Sequence, residues 1–282
     1  MPGHHARAQT AQLAQGLSMA VAGLPAPLRW PAEAVWEALA AQLPGLSVEI
    51  LPSLPSTNTA LMERARQGRT EPVFLVAEQQ TQGRGRLGRQ WLSDGAGAPP
   101  LTFSLGLVLE PQDWSGLSLA VGLAVAQSLH PQIGLKWPND LWLRERKLGG
   151  ILIETAQYAG LRYAVIGIGI NIAPRPAEGL RTPPACLQEL LPDVDAAQAF
   201  GLVAPSVGQA VLDFCAQGLA PVRAAYQARD VLLGREVLCS DGRSGRARGI
   251  DAQGALLVQT KAGVIKISSA EVSVRPAAGP AL

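Results

Sequence analysis

The sequence predicts an α/β protein that contains a mixed sheet flanked by helices, followed by a small all-β domain. Apolar strands and helices with an apolar stripe follow one another from residue 31 to about residue 230. Five short strand-like segments then occur at turn spacing, with glycines between them. Of the 282 residues, 48% are hydrophobic and 16% charged, which is typical of a folded chain with a large core. We expect a mobile tail at 1–30, a main domain at 31–230 and a β-barrel at 231–282.

In the first half of the chain, apolar spacing and turn residues define the elements. Pro31 suits the first position of a helix that runs to Leu43, where Pro44 and Gly45 end it. The polar cluster 52–59 opens a second helix, and Thr57 or Asn58 is typical of its N-cap. The other predicted elements here are a strand at 47–51, the second helix to about residue 67, strands at 73–77 and 101–109, and a buried helix at 114–129.

In the second half, strands dominate and one long irregular segment is expected. Gly167 and Gly169 fall on the same face of a predicted strand, where they leave a flat floor for a ligand. Residues 173–201 are rich in proline and are predicted to be irregular. The remaining predictions are strands at 135–143 (interrupted by Pro-Asn-Asp), 147–154 and 163–172, helices at 207–214 and 222–228, and barrel strands at 236–239, 244–250, 255–259, 264–267 and 271–274.

Composition narrows the functional class. The net charge of +2 gives no general attraction to nucleic acid or membrane. Cys186, Cys215 and Cys239 are far apart and odd in number, which favours reduced core residues in a cytoplasmic protein. Three histidines provide no metal cluster, so no protein-bound metal site is predicted. No apolar run reaches the ~18 residues needed to span a bilayer, so we expect no membrane partner.

Residues 77–91 form the most unusual stretch, since three glycines and three arginines interleave between Gly83 and Arg89. Glycine allows close approach of the backbone to a ligand, and arginine offers a fork of donors to phosphate or carboxylate. We interpret the stretch as an anion-binding loop. Two alternatives compete: a G-x-G-x-x-G dinucleotide motif, which lacks a following helix, and a solvated surface loop or a basic patch for nucleic acid.

Other polar groups stand out against the apolar strands. Together with this loop they form the pieces Ser56-Thr57-Asn58, Gln80-x-x-Gly83-Arg84-Gly85-Arg86, Lys136-Trp137-Pro138-Asn139-Asp140, Lys147-Leu148-Gly149-Gly150-Ile151 and Gly167-Ile168-Gly169-Ile170-Asn171. In this order and spacing, the pieces resemble the biotin–protein ligase family. The resemblance covers residues 47 to 276. It implies a class II synthetase-like catalytic domain at 31–230 and a C-terminal domain of the SH3-like barrel type at 231–282.

The resemblance also implies the chemistry. Such ligases join biotin to ATP as biotinyl-5′-AMP with release of pyrophosphate, then pass biotin to one lysine of a carrier protein. Both steps need aligned reactants and neutralised charge rather than a covalent enzyme intermediate. Mg²⁺ would bridge the ATP phosphates with few protein ligands. The implied partner is the biotin carboxyl carrier domain of a carboxylase, and a homodimer is left open.

By resemblance, site roles fall on particular residues. Lys147 and Arg86 are the expected catalytic residues, and with Asn171 they are expected to bind the nucleotide. The expected biotin-binding residues are Ser56, Thr57, Asn58, Gln80, Gly83, Arg84, Gly85, Arg86, Lys147, Gly150 and Gly169. Asp140 is a candidate for orienting Lys147 or for deprotonating the incoming lysine, and Arg275 for reaching the nucleotide.

Two further expectations concern related functions. Family members that repress transcription carry a helix-turn-helix domain, whereas only about 46 residues with one convincing helix precede the catalytic domain here. We therefore expect a monofunctional ligase without DNA binding. Lipoate and octanoate transferases share the fold by resemblance, and the Gly83-Arg84-Gly85-Arg86 loop favours biotin over them.

Overall fold

A seven-stranded mixed sheet is the framework of the protein. The computed structural model describes residues 28–93, 98–178, 182–268 and 274–276. Strand order is β1-β2-β5-β9-β8-β7-β6, with β1 and β2 parallel and every other neighbouring pair antiparallel. These strands are β1 (Ser47–Leu54), β2 (Val73–Gln80), β5 (Leu101–Val108), β6 (Gly134–Lys136), β7 (Asp140–Leu143), β8 (Arg146–Tyr158) and β9 (Leu161–Ile170). The predicted mixed sheet is confirmed.

Helices cover both faces of this sheet. The helix α2 packs on β8 and β9 from one side, while α1 and α3 pack with the long helix α4 on the other. The α-helices are α1 (Ala32–Leu39), α2 (Thr57–Arg66), α3 (Leu117–Leu129), α4 (Ala196–Gln217) and α5 (Arg223–Arg229). Short 3₁₀ helices occur at Arg86–Gly88, Leu187–Glu189 and Ala220–Val222.

Alternation along the central strands decides which residues reach each face. In β2, Phe74 and Val76 join the large core under α1, α3 and α4, whereas Val73 and Leu75 join the smaller core under α2. In β9, Tyr163 and Val165 belong to the α2 side. Because side chains alternate, Gly167 and Gly169 lie on that same side. The α2 face therefore carries apolar residues at one end and glycines at the other.

The C-terminal strands form a separate antiparallel sheet of order β13-β12-β11-β10-β14. They are β10 (Glu236–Cys239), β11 (Ser244–Ile250), β12 (Leu256–Thr260), β13 (Gly263–Ile267) and β14 (Val274–Pro276). Four of the five predicted strands match closely. Of the last, predicted at 271–274, residues 271–273 lie outside the described residues, and β14 is described as Val274–Pro276. A small SH3-like domain is consistent with this sheet, although β13 and β14 are its edges in the described residues and no pairing closes a barrel there.

The largest correction concerns α4. Residues 196–201, predicted to be irregular, form the start of a 22-residue helix that continues through Pro205 to Gln217. Asp195 caps it by accepting a hydrogen bond from the Gln198 N–H at 2.7 Å. Its most apolar 18-residue window has a mean hydropathy of 1.4, so the helix is long and apolar enough to cross a membrane, contrary to the prediction from composition. Ten of its residues are buried in the core, as expected for a core helix.

Smaller corrections concern helix ends and the N-terminus. The first helix stops at Leu39 instead of Leu43, and α3 begins at Leu117 instead of Trp114. The N-cap of α2 is Ser56, one residue before the two predicted candidates. Most of the predicted tail, residues 1–27, lies outside the described residues.

Candidate active site

A cleft of about 140 Å³ lies on the α2 face, beyond the N-terminal end of that helix. It is walled by the start of α2, the Gly/Arg loop, the β6–β7 turn, the glycine-rich parts of β8 and β9, and Val274 of the C-terminal sheet. Both sheets and the loop therefore meet in one place. The cleft is deep enough to surround a ligand larger than a water cluster.

Small residues create the space for the cleft. A Cβ added to Gly167 would lie 2.1 Å from Asn58 Oδ1, and one added to Gly169 would lie 2.6 Å from the Trp91 ring. Neighbouring β5 presents Ser104 opposite Gly167 on this face. Any larger side chain at these positions would displace the groups that line the cleft.

One end of the cleft is a connected polar network. Gln80 Oε1 accepts the Thr57 backbone N–H at 2.8 Å and lies 3.2 Å from Thr57 Oγ1. Ser104 Oγ lies 2.6 Å from Thr57 Oγ1 and 2.7 Å from Asn58 Oδ1. Asn58 Nδ2 donates to Glu154 Oε2 at 2.9 Å. These groups are largely buried, so a ligand placed among them must offer matching donors and acceptors.

The Gly/Arg loop is a short hairpin. Strands β3 (Gly83–Arg84) and β4 (Gln90–Trp91) pair across the 3₁₀ turn, and Leu87 at its tip has a positive φ of 57°. A Cβ on Gly83 would lie 2.3 Å from the Trp91 carbonyl oxygen, so the closest crossing of the hairpin requires glycine there. The motif contains only a one-turn 3₁₀ helix, at Arg86–Gly88, and no α-helix opens within it, so the dinucleotide interpretation is wrong.

The loop arginines reach different walls. Arg84 is half exposed and pairs with Glu154, Nη2 to Oε1, at 3.1 Å, so it lies beside the polar network. Arg86 donates from Nη1 to Asn139 Oδ1 at 3.2 Å, and Asn139 is itself fixed through Nδ2 to the Ile151 carbonyl at 2.6 Å. Burial lowers the pKa of Arg86 from its ordinary value, although the Asp140 carboxylate opposes this. The guanidinium remains charged.

The other end of the cleft holds a lysine–aspartate–lysine cluster. Lys147 Nζ donates to Asp140 Oδ1 at 2.6 Å, and Lys136 Nζ lies 3.5 Å from Asp140 Oδ2. Burial tends to raise the pKa of Asp140, but the charges of Lys147 and Lys136 outweigh it and hold that pKa below its usual range. Together with Arg86, this end has excess positive charge in a partly buried setting, where charge-assisted contacts to an anion are strong.

Most predicted site residues line this cleft. They are Ser56, Thr57, Asn58, Gln80, Arg84, Gly85, Arg86, Lys147, Gly150 and Gly169, together with Asp140. Gly83, Asn171 and Arg275 are not among the lining residues. The Asn171 amide instead donates to the Ala185 carbonyl at 2.9 Å, and its Oδ1 accepts from Arg175 at 2.8 Å. No group of three or more His, Cys, Asp or Glu side chains that could hold a metal occurs in the described ranges.

Three residues of the cleft region were not predicted as site residues from the sequence. Ser104 is fully buried beneath Thr57, Glu154 links Asn58 to Arg84, and the Trp91 ring covers Gly169. The Trp91 indole nitrogen is buried without a hydrogen-bond partner among the described residues. A polar residue within the buried strand 101–108 was the available signal for Ser104. No local pattern marks Glu154, because its partners lie about 70 and 96 residues away.

A buried indole connects the cleft to the C-terminal domain by a hydrogen bond. Trp137 is 1% exposed, and its Nε1 donates to the Gly254 carbonyl at 2.9 Å, across 117 residues of sequence. Val274 of β14 also lines the cleft. The β6–β7 turn therefore takes part of its support from outside the main domain.

Comparisons with known proteins match both parts of the chain. Residues 50–171 match the biotin/lipoate A/B protein ligase family, and residues 232–275 match the biotin protein ligase C-terminal domain. The bifunctional ligase/repressor BirA of Escherichia coli K12 is 36% identical over 247 residues, which cover 84% of this chain and 76% of that protein. The biotin–[acetyl-CoA-carboxylase] ligase of Paracoccus denitrificans is 33% identical over 236 residues, which cover 77% of this chain and 96% of the relative.

Solved structures agree with the sequence relatives. The biotin protein ligase from Aquifex aeolicus in complex with biotin and ATP superposes with a TM-score of 0.69 at 30% identity, and the match covers 82% of this chain and 99% of that chain. A Helicobacter pylori biotin acetyl coenzyme A carboxylase synthetase with bound biotinylated ATP gives 0.55 at 26% identity, over 78% of this chain and 98% of that chain. By its sequence matches, its two domain types and its fold, this chain belongs to the biotin–protein ligase family.

Proposed function

We propose that this chain is an ATP-dependent biotin–protein ligase. It activates biotin as biotinyl-5′-AMP, releases pyrophosphate and transfers biotin to a lysine of a biotin carboxyl carrier domain. The observation that carries the proposal is the asymmetry of the cleft. A buried network of amide and hydroxyl groups, bordered by the Glu154–Arg84 ion pair, lies at one end, a glycine floor follows, and three cations lie at the other end. Biotin has a polar ureido head, an apolar body and a carboxylate tail in the same order.

The ureido head of biotin would bind in the polar network. With its Oε1 occupied by Thr57, Gln80 can offer its amide N–H groups to the ureido carbonyl. Ser56, Thr57 and Asn58 complete the set at the N-terminus of α2. An acid lacking the ureido group leaves these buried groups unpaired, which disfavours lipoate and octanoate. The flat floor of Gly150 and Gly169 then accepts the ring and its chain.

The cationic end would serve the first chemical step. There the biotin carboxylate oxygen attacks the α-phosphorus of ATP, and pyrophosphate leaves with the electron pair. Both reactants are anionic, so Arg86 and Lys147 reduce their repulsion and hold them in line. Gly83, Gly85 and Arg84 would close the loop over the intermediate. Asn171, which braces the strand that carries Lys147 through the Lys147 carbonyl at 3.3 Å, is proposed to reach the nucleotide side.

In the second step, a lysine amine of the carrier domain attacks the acyl carbonyl and AMP departs. The attacking nitrogen must lose a proton, and Asp140, the carboxylate at the cationic end of the cleft, is proposed to orient Lys147 or to accept that proton. Mg²⁺ is proposed to arrive with ATP, bound mainly by its phosphates. The residues present fit that role, since Asp140 is held by two lysines and no acidic cluster is seen in the described part of the chain.

We further propose a cytoplasmic ligase that does not bind operator DNA. Cys186, Cys215 and Cys239 are free, which fits a reducing compartment. Of the residues that precede β1, those at 28–46 contain the helix α1, which packs on α4 rather than standing apart. A gel shift with operator-like DNA and biotin tests this inference, and light scattering tests for a homodimer.

The test of function is incubation of the chain with biotin, MgATP and a biotin carboxyl carrier domain, followed by intact-mass measurement. We expect the carrier to gain one biotinyl group, and AMP and pyrophosphate to appear in equal amounts. Parallel reactions with lipoate and octanoate should give less than a hundredth of that rate. Faster transfer of either acid would reassign the substrate. Absence of any acyl-adenylate, with salt-dependent nucleic-acid binding instead, would favour the non-catalytic alternative.

A further inference from the structure

Two lysines share one carboxylate in the cleft, and their environments differ. The side chain of Lys147 is 34% exposed, whereas that of Lys136 is 11% exposed and that of Asp140 is 14% exposed. Lys136 Nζ lies 4.8 Å above the centroid of the Trp142 ring, a cation–π contact that holds the ammonium in place. Lys147 is the more exposed partner, and Lys136 is the more buried one, held between Asp140 and Trp142.

Strand pairing explains why Lys136 is fixed. Lys136 and Asp140 face each other as the last pair of the antiparallel β6–β7 ladder, and Trp142 lies two residues further along the same strand as Asp140. The three side chains therefore come from one hairpin. Lys147 enters from β8, across a register shift between Leu141 and Trp142.

The proposed first step requires Lys147 to serve a phosphate. A lysine that binds a phosphate oxygen gives up part of its contact with Asp140, which the structure shows at 2.6 Å. Removal of one partner from a buried ion pair leaves an uncompensated charge, which is strongly unfavourable. Without a second cation, Asp140 would either retain Lys147 or take up a proton.

We propose that Lys136 is a positioning residue that holds Asp140 ionised while Lys147 transfers to the nucleotide phosphate. This inference rests on the proposed function and assigns Lys136 a separate part in it. Lys136 does not touch the reacting atoms. With Lys136 in place, Lys147 can move from the Asp140 carboxylate to the phosphate without the uptake of a proton by Asp140.

The surrounding charges are consistent with this role. Three cations act on Asp140 in the described part of the chain: Lys147 from β8, Lys136 from β6 and Arg86 from the loop. Arg86 is already held by Asn139 and is expected to turn to the ligand. Burial lowers the pKa of Lys136 while the Asp140 charge raises it, so each charge of this pair depends on the other.

The test counts protons taken up when ATP binds. Calorimetric titration of MgATP at pH 7 in two buffers of different ionisation enthalpy gives this number for the wild type, Lys136→Met and Lys136→Arg. Ionisation of ATP itself is common to all three, so the difference from wild type is the informative quantity. We expect Lys136→Met to take up at least 0.5 proton more than wild type. Lys136→Arg should equal wild type within 0.1 proton.

The pH dependence gives a second readout. In Lys136→Met, the affinity for ATP relative to wild type should rise up to tenfold for each unit by which the pH falls between 8 and 6. Lys261→Met is the matched control, because Lys261 is exposed in the turn between β12 and β13 and does not line the cleft. It should leave proton uptake unchanged. The proposal is overturned if Lys136→Met takes up as many protons as wild type. It is also overturned if Lys136→Met and Lys136→Arg differ from wild type in proton uptake by the same amount.

A double variant covers poor folding of Lys136→Met. If the charge of Asp140 is the cause, Lys136→Met with Asp140→Asn should regain thermal stability and show no excess proton uptake. Failure of the double variant to recover assigns Lys136 a packing role and overturns the proposal. A wild-type protein that binds ATP but forms no biotinyl-5′-AMP refutes the proposed function, and the proton count still tests Lys136.

Discussion

The backbone of Gly167 packs directly against the side chain of Asn58: a Cβ added to Gly167 would lie 2.1 Å from Asn58 Oδ1. Asn58 is the junction of the polar network, since it contacts Ser104 through Oδ1 and Glu154 through Nδ2. The bare backbone of β9 thus sets the position of an amide on α2. The glycine floor of β9 and the polar network around Asn58 therefore depend on each other's geometry.

Gly167→Ala should lower biotin affinity at least tenfold, because the new methyl group displaces Asn58 and opens the network. Overpacking of this kind also costs about 1–3 kcal/mol of stability. Gly208→Ala is the matched control, since its added methyl would meet the Leu39 side chain at 2.4 Å within the α1–α4 contact. It should lose stability and keep its biotin affinity. Calorimetric titration of biotin and thermal unfolding measure both effects, and unchanged affinity in Gly167→Ala would contradict the assigned pocket.

Gln80→Ala should weaken biotin binding more than ATP binding. The substitution removes the acceptor of the buried Thr57 N–H, which costs about 1–3 kcal/mol, and it removes donors proposed for the ureido group. Gln79→Ala, at the exposed neighbouring residue of the same strand, is the control. Separate titrations of biotin and ATP measure the two affinities. A larger loss of affinity for ATP than for biotin would show that the nucleotide, not biotin, binds beside Gln80.

Lys147→Ala should lower the rate of adenylate formation by roughly 100-fold or more, the loss typical of removing one charge-stabilising donor. Its side chain is one-third exposed, and Lys136 still pairs with Asp140 in the variant, so the thermal midpoint should change little. Pyrophosphate release with biotin and ATP measures the rate, and Lys261→Ala, at an exposed turn, serves as control. Equal rates in Lys147→Ala and wild type would remove Lys147 from the catalytic role.

Arg86→Gly should release biotinyl-5′-AMP into solution, because the guanidinium that reaches Asn139 across the cleft is lost. Free adenylate acylates exposed lysines without selection. We therefore expect biotin on an added bystander protein, detected by blotting with streptavidin, at levels several-fold above wild type. Labelling confined to the carrier domain would show that the loop does not retain the intermediate.

Asp230 should make stability depend on pH in an unusual direction. Its Oδ2 is buried without a partner in the described residues, and burial raises its pKa to about 6. The folded state then binds the proton more tightly than the unfolded state. The contribution of Asp230 to the unfolding free energy should be largest below about pH 4, fall by up to about 3 kcal/mol toward pH 6, and level off above it.

Urea unfolding of wild type and Asp230→Asn between pH 4.5 and 7.5 isolates this contribution. The difference between the two proteins should change with pH below 6 and be constant above it. A constant difference across the whole range would place the titration of Asp230 outside this window.

Sequence reasoning predicts the parts of this protein that repeat a local pattern. The anion-binding loop, the glycine floor and Lys147 are visible because residue type and spacing carry the information. Glu154 and Ser104 are not visible in that way, since their roles arise from partners on other strands. The helix α4 was missed at its start because Pro205 and the preceding proline-rich segment conceal a periodic apolar face that tertiary packing stabilises.

The hydrogen bond from Trp137 to Gly254 has a consequence for chimeric enzymes. A chain shortened before β10, or one carrying the terminal domain of a distant relative, would leave an indole N–H in the interior without its acceptor. The two domains therefore cannot be exchanged independently between relatives. A chimera must keep the Gly254 turn together with the tryptophan that donates a hydrogen bond to it.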